Sequence, residues 1–215
     1  MISSPKNHDA PIVPQPKFRI LQVQSLDQFQ QFATGILDLL SLYQSVLRDD
    51  FSDPNPAQLL RNTSTYAPWL WLLVEDLQEP HESMDAPGTE NNTNASITEK
   101  LMSASPTVYG LASLSDIIPG RHAFLHGVAH PGIRRHPAVF GLGELVLRVA
   151  FNELKVHKVK AEIEAGNPGA QGYCRRMGFV REAHFKSDNR INGQWQDVLV
   201  YSLFAEQFYS RRKQE

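Results

Sequence analysis

Two histidines, a lone cysteine beside a tyrosine, and paired arginines ahead of a helix start are the residues of this chain best suited to chemistry. His122 and His126 fall in a run, His122 to Ala129, that reads as a strand. Their even spacing puts both on one face. A neutral imidazole is a competent base near pH 7, which nominates His126 ahead of His122. The plainer reading of each is a histidine hydrogen-bonded in a half-buried sheet. Glu164, near the end of the next strand, is a further candidate base. Cys174 carries the chain's one thiol, with an ordinary pKa of about 8.5. It is read either as a proton donor or as a small, inert, buried side chain. Arg134 and Arg135 precede a helical stretch, and cations beside a helix N-terminus suit an anion. His122, His126, His130 and His136 straddle strand, turn and helix start without a ligand-spaced set, which argues against a metal.

The elements that must position these groups are legible in outline. Residues 1–17 hold Pro5, Pro11, Pro14 and Pro16 and read as a flexible arm. Phe18 to Val23 is a short strand candidate. Ser25 and Gln28 then stand at capping-box spacing. Phe29, Phe32, Ala33, Ile36, Leu40, Tyr43 and Leu47 recur at helical spacing behind them. Ala57 to Arg61 suggests a short second helix, and Pro68 to Val74 a buried strand. Residues 78–105 are polar throughout and predict a long flexible loop. Strands are expected at Thr107 to Leu114, His122 to Ala129 and Lys158 to Ala165, with a helix from Ala138 to Leu154. Pro168 opens another helix and Gly178 closes it. Two last strands, Val180 to Lys186 and Gln196 to Phe204, are joined through Asn192-Gly193. Trp69, Trp71 and Trp195 read as core or sheet-face packing, and Arg211-Arg212-Lys213 as part of a solvated tail, 209–215. The mixture of hairpins with one crossover helix predicts an α+β protein built on a mixed, mostly antiparallel sheet.

Composition excludes several classes. The chain has 215 residues, 41% hydrophobic and 20% charged, with 21 Lys+Arg against 23 Asp+Glu. A net charge of −2 lacks the basic surplus of a general nucleic-acid binder. One cysteine makes no internal disulfide. The first residues have no apolar core of a secretory signal, and no apolar run is long enough to span a bilayer. The expected setting is cytoplasmic.

His130-Pro131-Gly132-Ile133-Arg134, Ala150-Phe151, Leu154, Val156, Lys158-Val159, Asn167, Ala170 and Met177-Gly178-Phe179 follow one another without a gap. Glu182, Lys186, Gly193 and Asp197 continue the series. This register resembles the GNAT superfamily of acyl-CoA-dependent N-acetyltransferases. Within it, the chain is most similar to the branch that acetylates the N-terminal alanine of ribosomal proteins. The likeness spans roughly residues 106–204 and implies a GNAT fold over residues 18–208, with six to seven strands and about four helices. It implies acetyl-CoA as co-substrate and an amine acceptor, either a protein N-terminus or a small molecule. The acceptor site falls near residues 29–66 and 186–196. A homodimer is common among such proteins.

The resemblance also implies site residues. Arg134 and Arg135 would meet the coenzyme pyrophosphate beside the amides of Ala138, Val139, Phe140 and Gly141. Asn167 would touch the pantetheine arm, and the Val128 amide would polarise the thioester carbonyl. Four departures stand out. Pro137 occupies the family's central loop glycine, and Val139 its Gly or Ala position. An alternative alignment takes Gly141-Leu142-Gly143 as the phosphate loop. No glutamate lies between His122 and Ala129, so the base stays open among His126, His122 and Glu164. The family's tyrosine, seven residues after Asn167, is Cys174 here, with Tyr173 one residue earlier. Cys174 is therefore expected to face the coenzyme sulfur as the acid, with Tyr173 the competing candidate. A second class stays open: a GNAT-like domain without catalysis, binding coenzyme or serving in an assembly, would carry the same departures.

Overall fold

The computed structural model describes residues 17–42, 69–75 and 106–212. Residues 1–16, the suggested helix at 57–61 and the polar segment 78–105 lie outside the described residues. The described chain runs β1 (Phe18–Val23), α1 (Leu26–Ser41), β2 (Leu70–Glu75), β3 (Val108–Ile118), β4 (His122–Ala129), α2 (Pro137–Arg148), β5 (Lys158–Glu164), α3 (Pro168–Arg176), β6 (Val180–Ile191), β7 (Gln194–Phe204) and α4 (Ala205–Arg212). Its seven strands form one sheet in the order β1-β2-β3-β4-β5-β7-β6. All neighbours are antiparallel except β4 and β5, which are parallel.

Helix α1 starts where its cap requires. Ser25 Oγ accepts from the Gln28 amide at 3.2 Å, and Gln28 Oε1 accepts from the Gln24 amide at 2.8 Å. Phe29, Phe32, Ile36 and Leu39 then pack on Leu70, Leu72, Val74, Val108 and Leu111, on one face of the sheet. The opposite face carries the larger core. Trp71, Leu73, Ala112, Leu114, Ala123, Val159, Ala161, Ile163, Leu199, Tyr201 and Leu203 meet Val139, Leu142, Val146 and Leu147 of α2. Strand alternation sorts the two sets at single-residue resolution.

Three readings of the sequence need correction. The long helix after Pro137 ends at Arg148 and continues as one wide turn, Val149–Glu153, in which the Leu154 amide reaches Val149 O at 3.0 Å. Trp71 is buried, but Trp195 is 63% exposed at the start of β7. Arg211 is not part of a solvated tail. Phe208 is fully buried against Phe151, docking α4, and Arg211 packs over Gly178 while facing Glu144 at 3.6 Å. Gly178 has φ +85°, and a Cβ there would strike the guanidinium, so only glycine both turns the chain and admits the arginine.

Candidate functional site

Strands β4 and β5 are ladder partners only over His122–Phe124 and Lys158–Lys160. Beyond those three rungs they diverge, and the sheet opens toward α2 and α3. Backbone parity decides what faces the opening. The His130 amide donates to Tyr109 O at 2.7 Å, and Gly110 opposes Ala129. Antiparallel alternation carries that parity along the ladder, so the amides of Phe124, His126 and Val128 point at β3. Those of Leu125 and Gly127 point to the β5 side. The Val128 amide is therefore misassigned as the carbonyl-polarising donor. It is spent on Leu111, its β3 partner. By the same parity the Gly127 amide is the one at this level directed to the β5 side.

The turn before α2 holds a second correction. His136 caps the helix: its Nδ1 accepts from the Ala138 amide at 3.1 Å, and its carbonyl accepts from the Val139 amide at 3.0 Å. Its own amide donates to Ile133 O at 2.8 Å. Pro137 has no N–H to offer. Only the first four amides of a helix lack intrahelical partners. Phe140 and Gly141 lie beyond them, so their amides belong to the helix ladder. The expected cradle of Ala138, Val139, Phe140 and Gly141 amides is thus committed internally. A phosphate would meet side-chain charge first. Arg134 and Arg135 are exposed in the turn, and the Arg176 guanidinium of α3 lies 4.3 Å from the centre of the Phe140 ring in the first turn of α2. Arg176 was not singled out by sequence. Its role depends on two helices meeting.

Helix α3 begins as expected, with Asn167 Oδ1 accepting from the Ala170 amide at 3.0 Å. Asn167 is thereby a helix cap at the open end of β5. The next residues reverse the expected pairing of Cys174 and Tyr173. Cys174 is 5% exposed and sits within the main core, and burial pushes its thiol up to about 12. Such a group is packing. Tyr173 stacks on Phe140 with centroids 5.2 Å apart, and its hydroxyl donates to Val139 O at 3.2 Å. Burial, with smaller contributions from Cys174 and Glu144, holds that phenol well above its usual range. A Cβ on Gly143 would overlap the Tyr173 hydroxyl. Gly143 is therefore a helix–helix notch and not part of a phosphate loop. A Cβ on Gly141 would meet nothing within 4 Å.

The sheet face shared with α1 carries the polar groups. His122, Phe124 and His126 alternate onto it from β4, and Lys158, Lys160, Glu162 and Glu164 from β5. Lys160 lies 5.0 Å from the Phe124 ring, which packs edge-on against His122. Partial desolvation, then Lys160, Arg121 and Lys158, lower the His122 pKa. His126 is exposed, with its Nε2 2.7 Å from Ser115 Oγ. Ser115 Oγ also lies 3.0 Å from Asp116 Oδ2. Neither Ser115 nor Asp116 is marked by sequence, because both depend on the pairing of β3 with β4.

No family model matches the sequence. The chain is similar to the probable N-acetyltransferase YjcK of Bacillus subtilis, 34% identical over 59 residues, which span 27% of this chain and 33% of that protein. It is similar over a longer stretch to the spermidine N(1)-acetyltransferase of Vibrio cholerae, 27% identical over 144 residues, covering 62% of this chain and 80% of that protein. The chain therefore aligns with about a third of the length of the first and most of the second. The fold matches the Vibrio cholerae spermidine N-acetyltransferase solved in complex with CoA and spermine, with TM-score 0.59, 16% identity, and coverage of 89% of this chain and 98% of that one. A mutant form of the same Vibrio enzyme also superposes with TM-score 0.59 at 20% identity, covering 92% and 98%. The seven-stranded sheet with its parted β4 and β5 is the GNAT fold, and over the aligned stretches the sequence is similar to these two N-acetyltransferases.

Proposed function

We propose that the protein transfers the acetyl group of acetyl-CoA to a primary amine of a small, positively charged acceptor of the polyamine class. The observation that carries this reading is the opening between β4 and β5 beyond their three-rung pairing, with arginines beside it and a histidine on the adjoining sheet face. The acceptor class rests on the spermidine acetyltransferase relative and on the carboxylates of Asp116, Glu162 and Glu164. A protein N-terminus is the second acceptor. It rests on the sequence register alone.

In this reading the chain's residues divide the work. Arg134, Arg135 and Arg176 hold the coenzyme phosphates by charge, and His136 must release the Ala138 amide before that amide can join them. Acetyl-CoA supplies an activated thioester. The Gly127 amide takes up the charge that develops on its carbonyl oxygen. His126 accepts the proton of the incoming ammonium, because only a neutral amine has the lone pair that forms the new C–N bond. The nitrogen of the adduct gives its second proton to solvent as the C–S bond breaks and the thiolate leaves. Cys174 is too deeply packed to protonate it, and the Tyr173 hydroxyl is bonded to α2, so solvent in the opening supplies that proton.

The test incubates the protein with acetyl-CoA and, in separate reactions, spermidine, spermine and an alanine-initiated peptide. Free thiol release is followed in each. Thiol release with the polyamines and not the peptide is the expected result. Release with the peptide alone replaces the acceptor class. No release, and no thermal stabilisation by acetyl-CoA, overturns the reading.

A further inference from the structure

Of the twelve residues of β6 only Asn189 is buried, at 4% exposed. A buried amide carries donors and an acceptor that must be matched, a demand an apolar residue does not make. Its neighbours on that face of β7 include Val198 and Val200, both buried. Sheet packing alone would be served by a third valine. Asn189 Nδ2 instead donates to Glu164 Oε1 at 3.2 Å, reaching past β7 to β5. A carboxylate only accepts, so the amide nitrogen is the atom that faces it.

The backbone of β6 is bent to bring Asn189 there. Phe185 opposes Val198 and Asn189 opposes Gln196, so β6 spends two more residues than β7 over that stretch. In an unbroken ladder Ser187 would oppose Gln196. The bulge puts the amide in that place. It is pinned from β7: Asp197 Oδ1 accepts from the Ser187 amide at 2.9 Å, and Asp197 Oδ2 lies 2.7 Å from His184 Nε2. Ser187 has φ 51°, a left-handed conformation uncommon for serine.

Glu164 is half-buried and shares the α1 face of the sheet with His126, across the opening. The last rung between the two strands pairs Phe124 with Lys160. His126 stands two residues beyond it on β4, and Glu164 four residues beyond it on β5. They are offset by about 6.6 Å along the strands and by a strand spacing of about 4.8 Å or more across them. That offset suits two nitrogens of one acceptor, the reacting one at His126 and another several bonds along the chain at Glu164.

We propose that Glu164 anchors the second ammonium of a polyamine acceptor, and that Asn189 is the positioning residue that aims its carboxylate. This rests on the function proposed above. An ionised carboxylate has about four lone-pair sites, so the ammonium adds to the amide without displacing it. A charge-assisted hydrogen bond is among the stronger ones a protein makes. Because Asn189 already holds the carboxylate, less side-chain freedom is lost when the acceptor arrives.

The test pairs a binding measurement with kinetics. Labelled spermidine is dialysed to equilibrium against protein loaded with desulfo-CoA, which carries no acetyl group to transfer. Steady-state rates are then measured with acetyl-CoA on spermidine and on butylamine. Glu164→Gln keeps the shape and removes the charge. It should weaken spermidine binding about tenfold to a hundredfold and raise KM to match, while kcat stays within about threefold. Butylamine has no second ammonium, so the preference for spermidine in kcat/KM should fall by a similar factor. Asn189→Ala should raise the spermidine KM about threefold or more, and the two substitutions together should do no more than Glu164→Gln alone. Thermal unfolding of each variant checks that the fold is kept. A wild-type protein that acetylates no amine overturns the acetyl-transfer reading and the anchor with it. A wild type active only on the alanine-initiated peptide overturns the anchor and leaves acetyl transfer standing. A wild type active on spermidine whose Glu164→Gln variant binds spermidine as tightly, or loses butylamine turnover to the same degree, overturns the anchor alone.

Discussion

The two faces of the central sheet solve different problems. The face toward α2 is apolar across its width, from Trp71 and Leu73 on β2 through Ala123 on β4 to Leu203 on β7. The face toward α1 is apolar over β1 to β3, where Leu70, Leu72, Val74, Val108 and Leu111 receive the helix, and again on β7, where Val198 and Val200 are buried. Past Ser113 and Ser115 it turns polar, with His122 and His126 followed by Lys160 and Glu162. Adjacent residues on one strand therefore serve opposite ends. Ala123 is sealed in the core while its neighbours His122 and Phe124 reach the polar side. The fold uses one side for stability and reserves the other for groups that need water, charge and room to move.

That contrast can be broken by exchange of roles. The largest effect is expected at His126. His126→Ala should cost roughly 10²- to 10⁴-fold in kcat, with little change in the urea midpoint. A large loss of stability in that variant would make His126 a structural residue. Gly143 lies on the other side of the comparison. A Cβ there overlaps the Tyr173 hydroxyl, so Gly143→Ala should destabilise by about 1–3 kcal/mol despite alanine's better helix propensity. Tyr173→Phe in the same background should recover part of that loss, which a double-mutant cycle would detect.

Cys174 sharpens the contrast further. With its thiol pushed up to about 12 by burial, it should resist a disulfide reagent in the native protein and react at once after unfolding. Cys174→Ala should leave kcat unchanged and lower stability by about 1–2 kcal/mol. Unchanged stability with lost turnover would return it to the chemistry. The smallest effect concerns Glu182. Its hydrogen bond from Ser202, and then that from Lys158, lower its pKa in the folded state. A lowered folded pKa adds stability that is present above the unfolded value of about 4.3 and lost as pH falls through the folded one. Glu182→Gln should therefore flatten the acid limb of the stability profile slightly, since the pair is half exposed and screened. Thermal unfolding from pH 3 to pH 7 measures it.

Local chemistry made much of the frame legible. Ser25 caps α1, Pro168 opens α3, Gly178 closes it, and Asn192-Gly193 turn the last hairpin with φ 49° and 75°. Each is a short-range rule written in a few neighbouring residues. The failures share a different cause. Whether the Val128 amide faces the opening or β3 depends on which residue of β3 stands opposite, and the sequence of β4 does not contain that register. The reach of β6 to Ile191 depends on Asp197 of β7 accepting from the Ser187 amide at 2.9 Å, across a bulge where Ser187 has φ 51°. The commitment of the Ala138 amide depends on a histidine rotamer. The opposite placement of Cys174 and Tyr173 depends on where α3 sits against α2. Each of these is a property of two elements in contact.

The junction of β4 and β5 has a mechanical meaning as well. Four strands lie on one side of it and three on the other, and the ladder across it is three residue pairs long. A sheet resists bending along its ladders, so compliance gathers where the ladder is shortest. The two plates can twist about that corner while each stays rigid within itself. The width of the opening is then set at its closed end, by the packing of Ala123 and Val159, which are fully buried. A methyl group added or removed there acts like a shim in a hinge, changing the distance between reacting groups several residues away without touching any of them.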